Sequence, residues 1–501
     1  MNYPLLYRTI RHLKMIQMFY QLKNRFFNSE YVSHVSPEVN LCRLMTLPVC
    51  KEKSVNGNDF SFLNLTCGFS TWDFSENGLL FTYNLNYFDF INDGNIDFNQ
   101  VSRWIDKYVD ELPKITFGLD PYPIALRGIN WIKFILANSD RIERDQRKRW
   151  NDSLYSQYKL LEKKLEWHLL GNHLLENFYS LYIASIYFND REMFLRYSYL
   201  LRRELDEQIL PDGAHFEQSP MYHCILLDRL LDCCNLSLAN ILFEGQHEAN
   251  SYLKEKASLM LGHLESLMYM DGDIPMLNDS AQGIAPTTSE LFDYAIRLGV
   301  TWSKLSLKEC GYRRWTNSKY QVLLDVGNIT AAYQPGHSHA DTFNYELRID
   351  GLPFVVDTGI STYEKNARRQ FERSTIAHNC VSPNGRDSSE VWGGFRVGRR
   401  CHSQIIQESE NSIVAWHDGF GPFCKRRFKL LPDGFIVEDW FDMDAVSYIH
   451  IAANADIKRI SVEGASDVRV KDYMYSTEYN KFHKGKVVEI HFNGYIKYII
   501  R

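Results

Sequence analysis

Between residues 335 and 359 the chain reads PGHSHADTFNYELRIDGLPFVVDTG, which sets two imidazoles, His337 and His339, one residue apart at a glycine-led turn. An alternating segment follows, a polar Asp350-Gly351 turn reverses the chain, and the apolar run Leu352 to Val356 ends on Asp357. This is the pattern of a β-hairpin. Residues i and i+2 of a strand share a face, and the antiparallel return brings Asp357 back towards His339. His378 lies in the next strand-like segment, STIAHNCV. Together His339, Asp357 and His378 offer an N/O/N donor set of the kind zinc takes, with His337 beside the ion but not bound to it. Spacing alone is equally compatible with scattered surface or core histidines.

Three segments of the first half also crowd polar groups. In GNHLLEN (171–177), Asn172, His173 and Glu176 stand at a helix start, where free backbone N–H groups also favour an anion; plain helix capping accounts for them too. The loop LPDGAHFEQSPMYH (210–223) carries Glu217, Gln218, Tyr222 and His223. A tyrosine after such a turn is commonly just a packed aromatic. In DGDIPMLNDSA (271–281), Asp273, Asn278 and Asp279 either line a cleft or make turns.

The elements that must position these residues fall into two kinds. From about residue 60 to 315, segments such as WIKFILAN, SLYIASIYF and ILLDRLLDCCNLSLANIL carry apolar residues at helical spacing between short polar loops. A series of helical hairpins forms a solenoid or closes into an (α/α) toroid, and the lack of a sharp internal repeat favours the toroid. After residue 316 short strands with turn signals take over, among them YQVLLDVG, ITAAYQP, SQIIQES, SIVAWHDG and KVVEIHF. Ten or more such strands imply an antiparallel β-sandwich. The expected organisation is therefore α+β and multidomain: a helical lead-in over 1–60, a toroid over 61–315 and a sandwich over 316–501.

Composition describes an ordinary globular protein of 501 residues, 45% apolar and 24% charged. A net charge of −6 argues against nucleic acid as a partner, since nothing draws a polyanion to the molecule as a whole. The aromatic fraction of 14% suits stacking on sugar rings, and equally suits a large core. The opening segment MNYPLLYRTIRHLKMIQMFYQLKNRFF lacks the apolar run of a secretory signal or membrane span. The ten cysteines contain no CxxC pair, so reduced thiols in the cytoplasm are expected. The basic amphipathic opening could instead rest on an anionic membrane surface.

Taken together, RGINW (127–131), GNHLLEN (171–177), DGAHFEQSPMYH (212–223), GDIPMLNDS (272–280), GHSHAD (336–341), VVDTG (355–359) and ERSTIAHN (372–379) make the chain resemble the heparinase II/III-like polysaccharide lyases. The resemblance covers nearly everything after residue 80 and extends to the order of the segments. It implies β-elimination on a glycan containing uronic acid. Removing the C5 proton puts a second negative charge on a group that already bears a carboxylate. An enzyme must therefore neutralise that carboxylate, place a base at C5 and protonate the departing O4. By resemblance Asn172 and His173 perform the first task, and Tyr222 and His337 form the acid/base pair, with Tyr222 the better donor to O4. The implied metal, zinc on His339, Asp357 and His378, is structural; manganese or calcium with more oxygen ligands is the alternative. Glu176, Arg127, Tyr363 and Asp279 are expected to contact substrate or support the groups that do. Arginines between Arg368 and Arg400 offer further partners for substrate carboxylates.

The chain departs from secreted members of that group in showing no export signal. Its tyrosine-rich segment FTYNLNYFDFIND (81–93) resembles the subset associated with bacterial capsule or O-antigen metabolism. The same residues would equally serve a uronate C5-epimerase, which returns the proton to the opposite face. A non-catalytic glycan-binding protein is a third reading. Oligomeric state leaves no trace in the sequence.

Overall fold

A computed structural model describes residues 3–27, 29–39, 42–50, 55–421 and 423–501. Two short helices, α1 (Tyr3–Ile10) and α2 (Met15–Phe26), come first. In place of an all-helical lead-in, Val55–Gly68 then forms a small three-stranded antiparallel sheet. The reason is local: Asp59 to Phe62 alternates polar and aromatic residues, and Phe60 and Phe62 are the buried pair.

The helical half runs through α3 (Leu79–Tyr87), α4 (Phe98–Glu111), α5 (Pro121–Ala137), α6 (Arg144–Lys164), α7 (Gly171–Tyr187), α8 (Arg191–Gln208), α9 (Pro220–Ala239), α10 (Gln246–Leu267) and α11 (Thr288–Arg297). Helices α3, α5, α7, α9 and α11 touch in succession, while α6, α8 and α10 pack behind α5, α7 and α9. The two rows differ in sequence as their positions demand. The outer helix α8 buries a stripe at Met193, Phe194, Tyr197, Leu201 and Leu205. The inner helix α7 buries every residue except His173.

From Tyr312 onward the chain is mainly β. Among the described residues twelve strands join one antiparallel sheet, built around the long strands Gly434–Ile451 and Lys481–Ile500. Each reads in the sequence as two short strands; the first is a single strand carrying a bulge between Phe441 and Ala445. Cys424–Leu431 alternates strictly between buried and half-buried residues, as a strand with one covered face must. The sheet curls, so Val322 and Leu347 of one arm share a core with Phe428, Val437 and Ile496 of the other. The sandwich expected from the sequence is thus made by one continuous sheet.

Two expected strands are absent. Residues 329–335 are irregular, and STIAHNCV forms a short 3₁₀ turn, Thr375–Ala377, that delivers His378 at its end. Conversely, Asp467–Glu478 is a strand that its polar, poorly alternating sequence conceals.

The two halves meet along the loops that carry the polar motifs. Asp279 N–H donates to the His337 carbonyl at 3.2 Å, and His339 N–H donates to Asn278 Oδ1 at 3.0 Å. Gln282 N–H reaches the Thr477 carbonyl at 2.7 Å. Gly359 is obligatory in this junction: its φ is +65°, and a Cβ there would lie 1.9 Å from the Ser476 carbonyl oxygen.

Candidate functional site

The turn into α7 is left-handed at two successive residues, Leu170 with φ 60° and Gly171 with φ 56°. Glycine is needed at 171 because a Cβ would sit 2.4 Å from Glu217 Oε1. That carboxylate fills the space and accepts from Asn172 twice, from its backbone N–H at 2.8 Å and from its side-chain Nδ2 at 2.9 Å. The side-chain amide of Asn172 also lies 3.2 Å from His337 Nε2. Gln218 and Asn278 are likewise left-handed, at φ 58° and 54°. Non-glycine residues in that region cost about 1–3 kcal/mol each, and here they flank Asn172, Glu217 and Asp279.

Tyr222 sits in the first turn of α9. Ser219 caps that helix by accepting from Tyr222 N–H, and Pro220 pre-sets the first turn. The Ser219 hydroxyl donates to the Asp279 carbonyl at 2.6 Å, so the start of α9 is tied to the loop facing the β half. The rings of Tyr222 and His337 come within 3.9 Å of each other, and the Tyr363 hydroxyl lies 3.4 Å from the Tyr222 hydroxyl. Burial pushes the Tyr222 phenol well above its ordinary value, so it remains protonated at neutral pH.

Behind His337 stands Asp279, fully buried. One oxygen meets His337 Nδ1 at 2.9 Å and the other meets His339 Nε2 at 2.8 Å. Arg369 of α12 (Ala367–Glu372) clamps the same carboxylate through both terminal nitrogens, one of them at 2.6 Å. Burial opposes the charge on Asp279, but the Arg369 guanidinium outweighs it and holds the carboxyl well below its ordinary range. With Nδ1 held on Asp279, His337 turns Nε2 towards Asn172 Nδ2 at 3.2 Å and Glu217 Oε2 at 3.4 Å.

His173 is the one residue of α7 that is not buried. Its Nδ1 pairs with Glu166 Oε1 at 3.0 Å, and Asn177 donates to the other Glu166 oxygen at 3.0 Å. Burial works against an imidazolium here, yet the Glu166 carboxylate prevails and moves His173 upward from its ordinary value. The Tyr122 ring packs 4.8 Å from it. From there a file of half-buried aromatics continues through Tyr87, 5.8 Å from Tyr122, and Tyr83, 6.3 Å from Tyr87.

The structure therefore brings together Asn172, His173, Tyr222, His337 and Tyr363. It does not bring Arg127 or Glu176 to them. Arg127 is fully buried inside the helical half and donates to Gln157 Oε1 at 2.7 Å and to the Asn86 and Gly118 carbonyls at 2.9 Å each. All its donors hold the fold, so the expected contact with substrate is corrected. Glu176 points into the protein from α7; burial pushes it up to about 8, and its nearest cation is Arg229, Nε at 3.7 Å. Asp279, also expected to touch substrate, is fully buried and spent on His337, His339 and Arg369. Of the arginine run, Arg369 and Arg373 are buried and committed, Arg373 to the Ser338 carbonyl at 2.8 Å.

The zinc-type residues meet in one buried cluster. His378 Nδ1 lies 2.7 Å from Asp357 Oδ2, and the His339 and His378 rings are 5.2 Å apart. His339 Nδ1 and His378 Nε2 are buried nitrogens with no hydrogen-bond partner. Burial pushes His339 down to about 3, so it is neutral. With its Nε2 proton directed at Asp279, the lone pair of Nδ1 is unclaimed. A neutral imidazole oriented by a carboxylate on its far nitrogen is how histidine ligands are held. In this structure Asp357 lies against His378 Nδ1, and its other oxygen accepts from Gly359 N–H at 2.8 Å. Among the described residues, the donors that close to within 4.8 Å of one another belong to a different trio, Asp212, His263 and Cys310. Asp212 Oδ2 there already accepts from Lys308 N–H and Cys310 N–H at 3.0 Å each.

Sequence reading passed over Glu217 as the group that aims Asn172, Arg369 as the counter-ion of Asp279, Glu166 behind His173, and the tyrosine file. A tyrosine at 83 and another at 87 share one helix face, which was the available signal.

Residues 129–296 match the family model described as heparinase II/III N-terminus, and residues 300–458 match heparinase II/III-like, C-terminal. Among solved structures, a heparinase III is similar over 86% of this chain and 79% of its own, at 15% identity and a TM-score of 0.65. A mutant heparan sulfate lyase from Pedobacter heparinus is similar over 97% of this chain and 87% of its own, at 14% identity and a TM-score of 0.57. At such identities these two speak for the fold. No curated protein matches the sequence.

Proposed function

Because this chain belongs to the heparinase II/III-like superfamily and is a polysaccharide lyase at family level, we propose that it cleaves a uronic-acid-containing glycan by β-elimination. The observation that carries this reading is the convergence of Tyr222 and His337, rings 3.9 Å apart, on the amide of Asn172. The uronate carboxylate binds at Asn172 Nδ2 and the imidazolium of His173, which offset the charge that develops when C5 is deprotonated. His337 Nε2 takes the C5 proton, the electron pair forms the C4–C5 double bond, and the C4–O4 bond breaks. The Tyr222 hydroxyl gives its proton to O4; the proton on His337 later returns the site to its starting state. Tyr122, Tyr87 and Tyr83 offer flat faces on which neighbouring sugar rings stack.

The test is incubation with a panel of uronate polymers, watching for the ultraviolet absorbance of the unsaturated product. Absence of that signal on every polymer would refute the lyase reading. Deuterium entering C5 from solvent without chain cleavage would identify an epimerase instead.

A pH prediction follows from His173. Its raised pKa keeps the imidazolium until pH climbs through that higher value, so substrate binding should weaken on the alkaline side. Glu166→Gln removes the carboxylate that raises it, and the rise in KM should begin at lower pH. KM measured against pH for both proteins decides this.

We further propose that zinc is held by His339, His378 and Asp357, where it would clamp the loop bearing His337 to the segment bearing His378. The unclaimed Nδ1 of His339 beside the Asp357–His378 pair, with the two rings 5.2 Å apart, supports this reading. Purified protein should carry about one zinc per chain. His378→Ala should lose the metal and lower Tm while leaving Tyr222 in place. Metal analysis and a melting curve check both statements; a wild-type protein purified without zinc and insensitive to chelators would refute them.

A further inference from the structure

The opening helices are amphipathic the wrong way round. A surface helix of a globular protein turns its apolar stripe to the core. In α2 the one buried side chain is polar, Gln17, which donates to the Leu169 and Tyr333 carbonyls at 3.1 and 3.3 Å. Asn24, on the same inward side, lies 3.2 Å from His168 Nδ1. The outward side carries Met15, Phe19, Leu22 and Phe26, which are 77%, 62%, 62% and 76% exposed. Their spacing of four, three and four residues is a single helix face. In α1 the same spacing exposes Tyr3, Tyr7 and Ile10, while Arg8 pairs with Glu390 at 2.7 Å and Thr9 accepts from Trp392 Nε1 at 3.1 Å. Both helices are thus fastened to the protein by polar contacts and present apolar faces outward.

Charge selects what covers them. Residues 3–27 contain Arg8, Arg11, Lys14, Lys23 and Arg25 and not one Asp or Glu, in a chain of net charge −6; Arg8 pairs with Glu390 and Lys14 with Glu207, so the outward charge rests on Arg11, Lys23 and Arg25. By helical position Lys23 and Arg25 flank the α2 stripe on either side, with Lys23 Nζ 5.0 Å from the Tyr20 ring, and long basic side chains at such an edge place their charge at the polar boundary. Two copies of so basic a face would repel each other. We propose that α1 and α2 form an interfacial patch that seats the protein on an anionic lipid bilayer, with Phe19, Leu22 and Phe26 in the acyl boundary and Lys23 and Arg25 at the headgroups. The inference is independent of the lyase reading.

The test is flotation of the full-length protein with vesicles of phosphatidylcholine containing about one third phosphatidylglycerol, against pure phosphatidylcholine. Binding is expected to the anionic vesicles, to fall at about 0.5 M salt, and to weaken at least tenfold in the triple variant Phe19→Gln, Leu22→Gln, Phe26→Gln. All three positions are exposed, and far-ultraviolet circular dichroism and an unchanged melting temperature verify folding. A Lys23→Gln, Arg25→Gln variant should lose the preference for anionic lipid. No binding to anionic vesicles overturns the proposal, as does equal binding by the triple variant. A concentration-dependent dimer that the triple variant abolishes overturns it too, by assigning the face to a second copy.

Discussion

Tyr222→Phe is expected to lower kcat on the cognate glycan by about 10² to 10⁴-fold, the usual worth of a positioned general acid, with KM nearly unchanged. The substitution removes one oxygen and nothing else. The ring stays packed on His337, and the hydroxyl's neighbour is the Tyr363 hydroxyl at 3.4 Å, a distance at which little hydrogen-bond energy is at stake. Stability should therefore change by less than about 1.5 kcal/mol. Because burial holds the phenol protonated well past neutrality, the native enzyme always has this proton to give to O4. Removing it leaves the C4–O4 bond to break with an unprotonated leaving group. Steady-state rates from the ultraviolet signal, beside a melting curve, check both halves of the statement. A variant within threefold of wild type would strip Tyr222 of its role.

Asp279→Asn should damage both the fold and the chemistry. The carboxylate is fully buried among Arg369, His337 and His339. An amide is isosteric but neutral, so the Arg369 guanidinium is left as an uncompensated buried charge. Breaking a buried pair in this way costs about 3–5 kcal/mol, which should appear as a large drop in Tm. The chemical effect has a different origin. An amide NH₂ turned to His337 cannot accept from Nδ1–H, so the imidazole shifts its proton to Nε2 and the base is blocked. The same carboxylate-to-amide change behind the histidine of serine proteases costs about 10⁴ in kcat, and a loss of at least about 10³ is expected here. To separate the effects, Arg369→Gln combined with Asp279→Asn removes both charges. It should recover stability without recovering kcat; recovery of kcat as well would show that Asp279 matters to the fold alone.

The types of residue required were legible without coordinates. An amide and an imidazole opening a helix, a tyrosine after Ser-Pro, and paired histidines at the head of a hairpin are short-range patterns whose chemistry does not depend on where the chain goes next. The two halves were legible for a similar reason: hydrophobic periodicity is local, and it changes from helical to alternating between Arg297 and Tyr312. Amphipathic outer helices such as α8 declared themselves in this way, whereas the polar strand Asp467–Glu478 did not, because its pairing with Lys481–Ile500 and not its own pattern makes it a strand.

What the tertiary structure alone decided is which charged groups are spent on one another. Arg127 and Glu176 stand inside convincing motifs, yet Arg127 is consumed by three internal acceptors and Glu176 faces Arg229 in the helical core. Arg369 looked like one of several surface arginines and is instead the counter-ion of Asp279, 90 residues away. A buried charge must find its partner through space, and the cost of leaving it unpaired is what selects the partner. Sequence spacing carries no record of that choice, so the candidate groups could be read from the chain, while the groups packed behind them had to be seen in the fold.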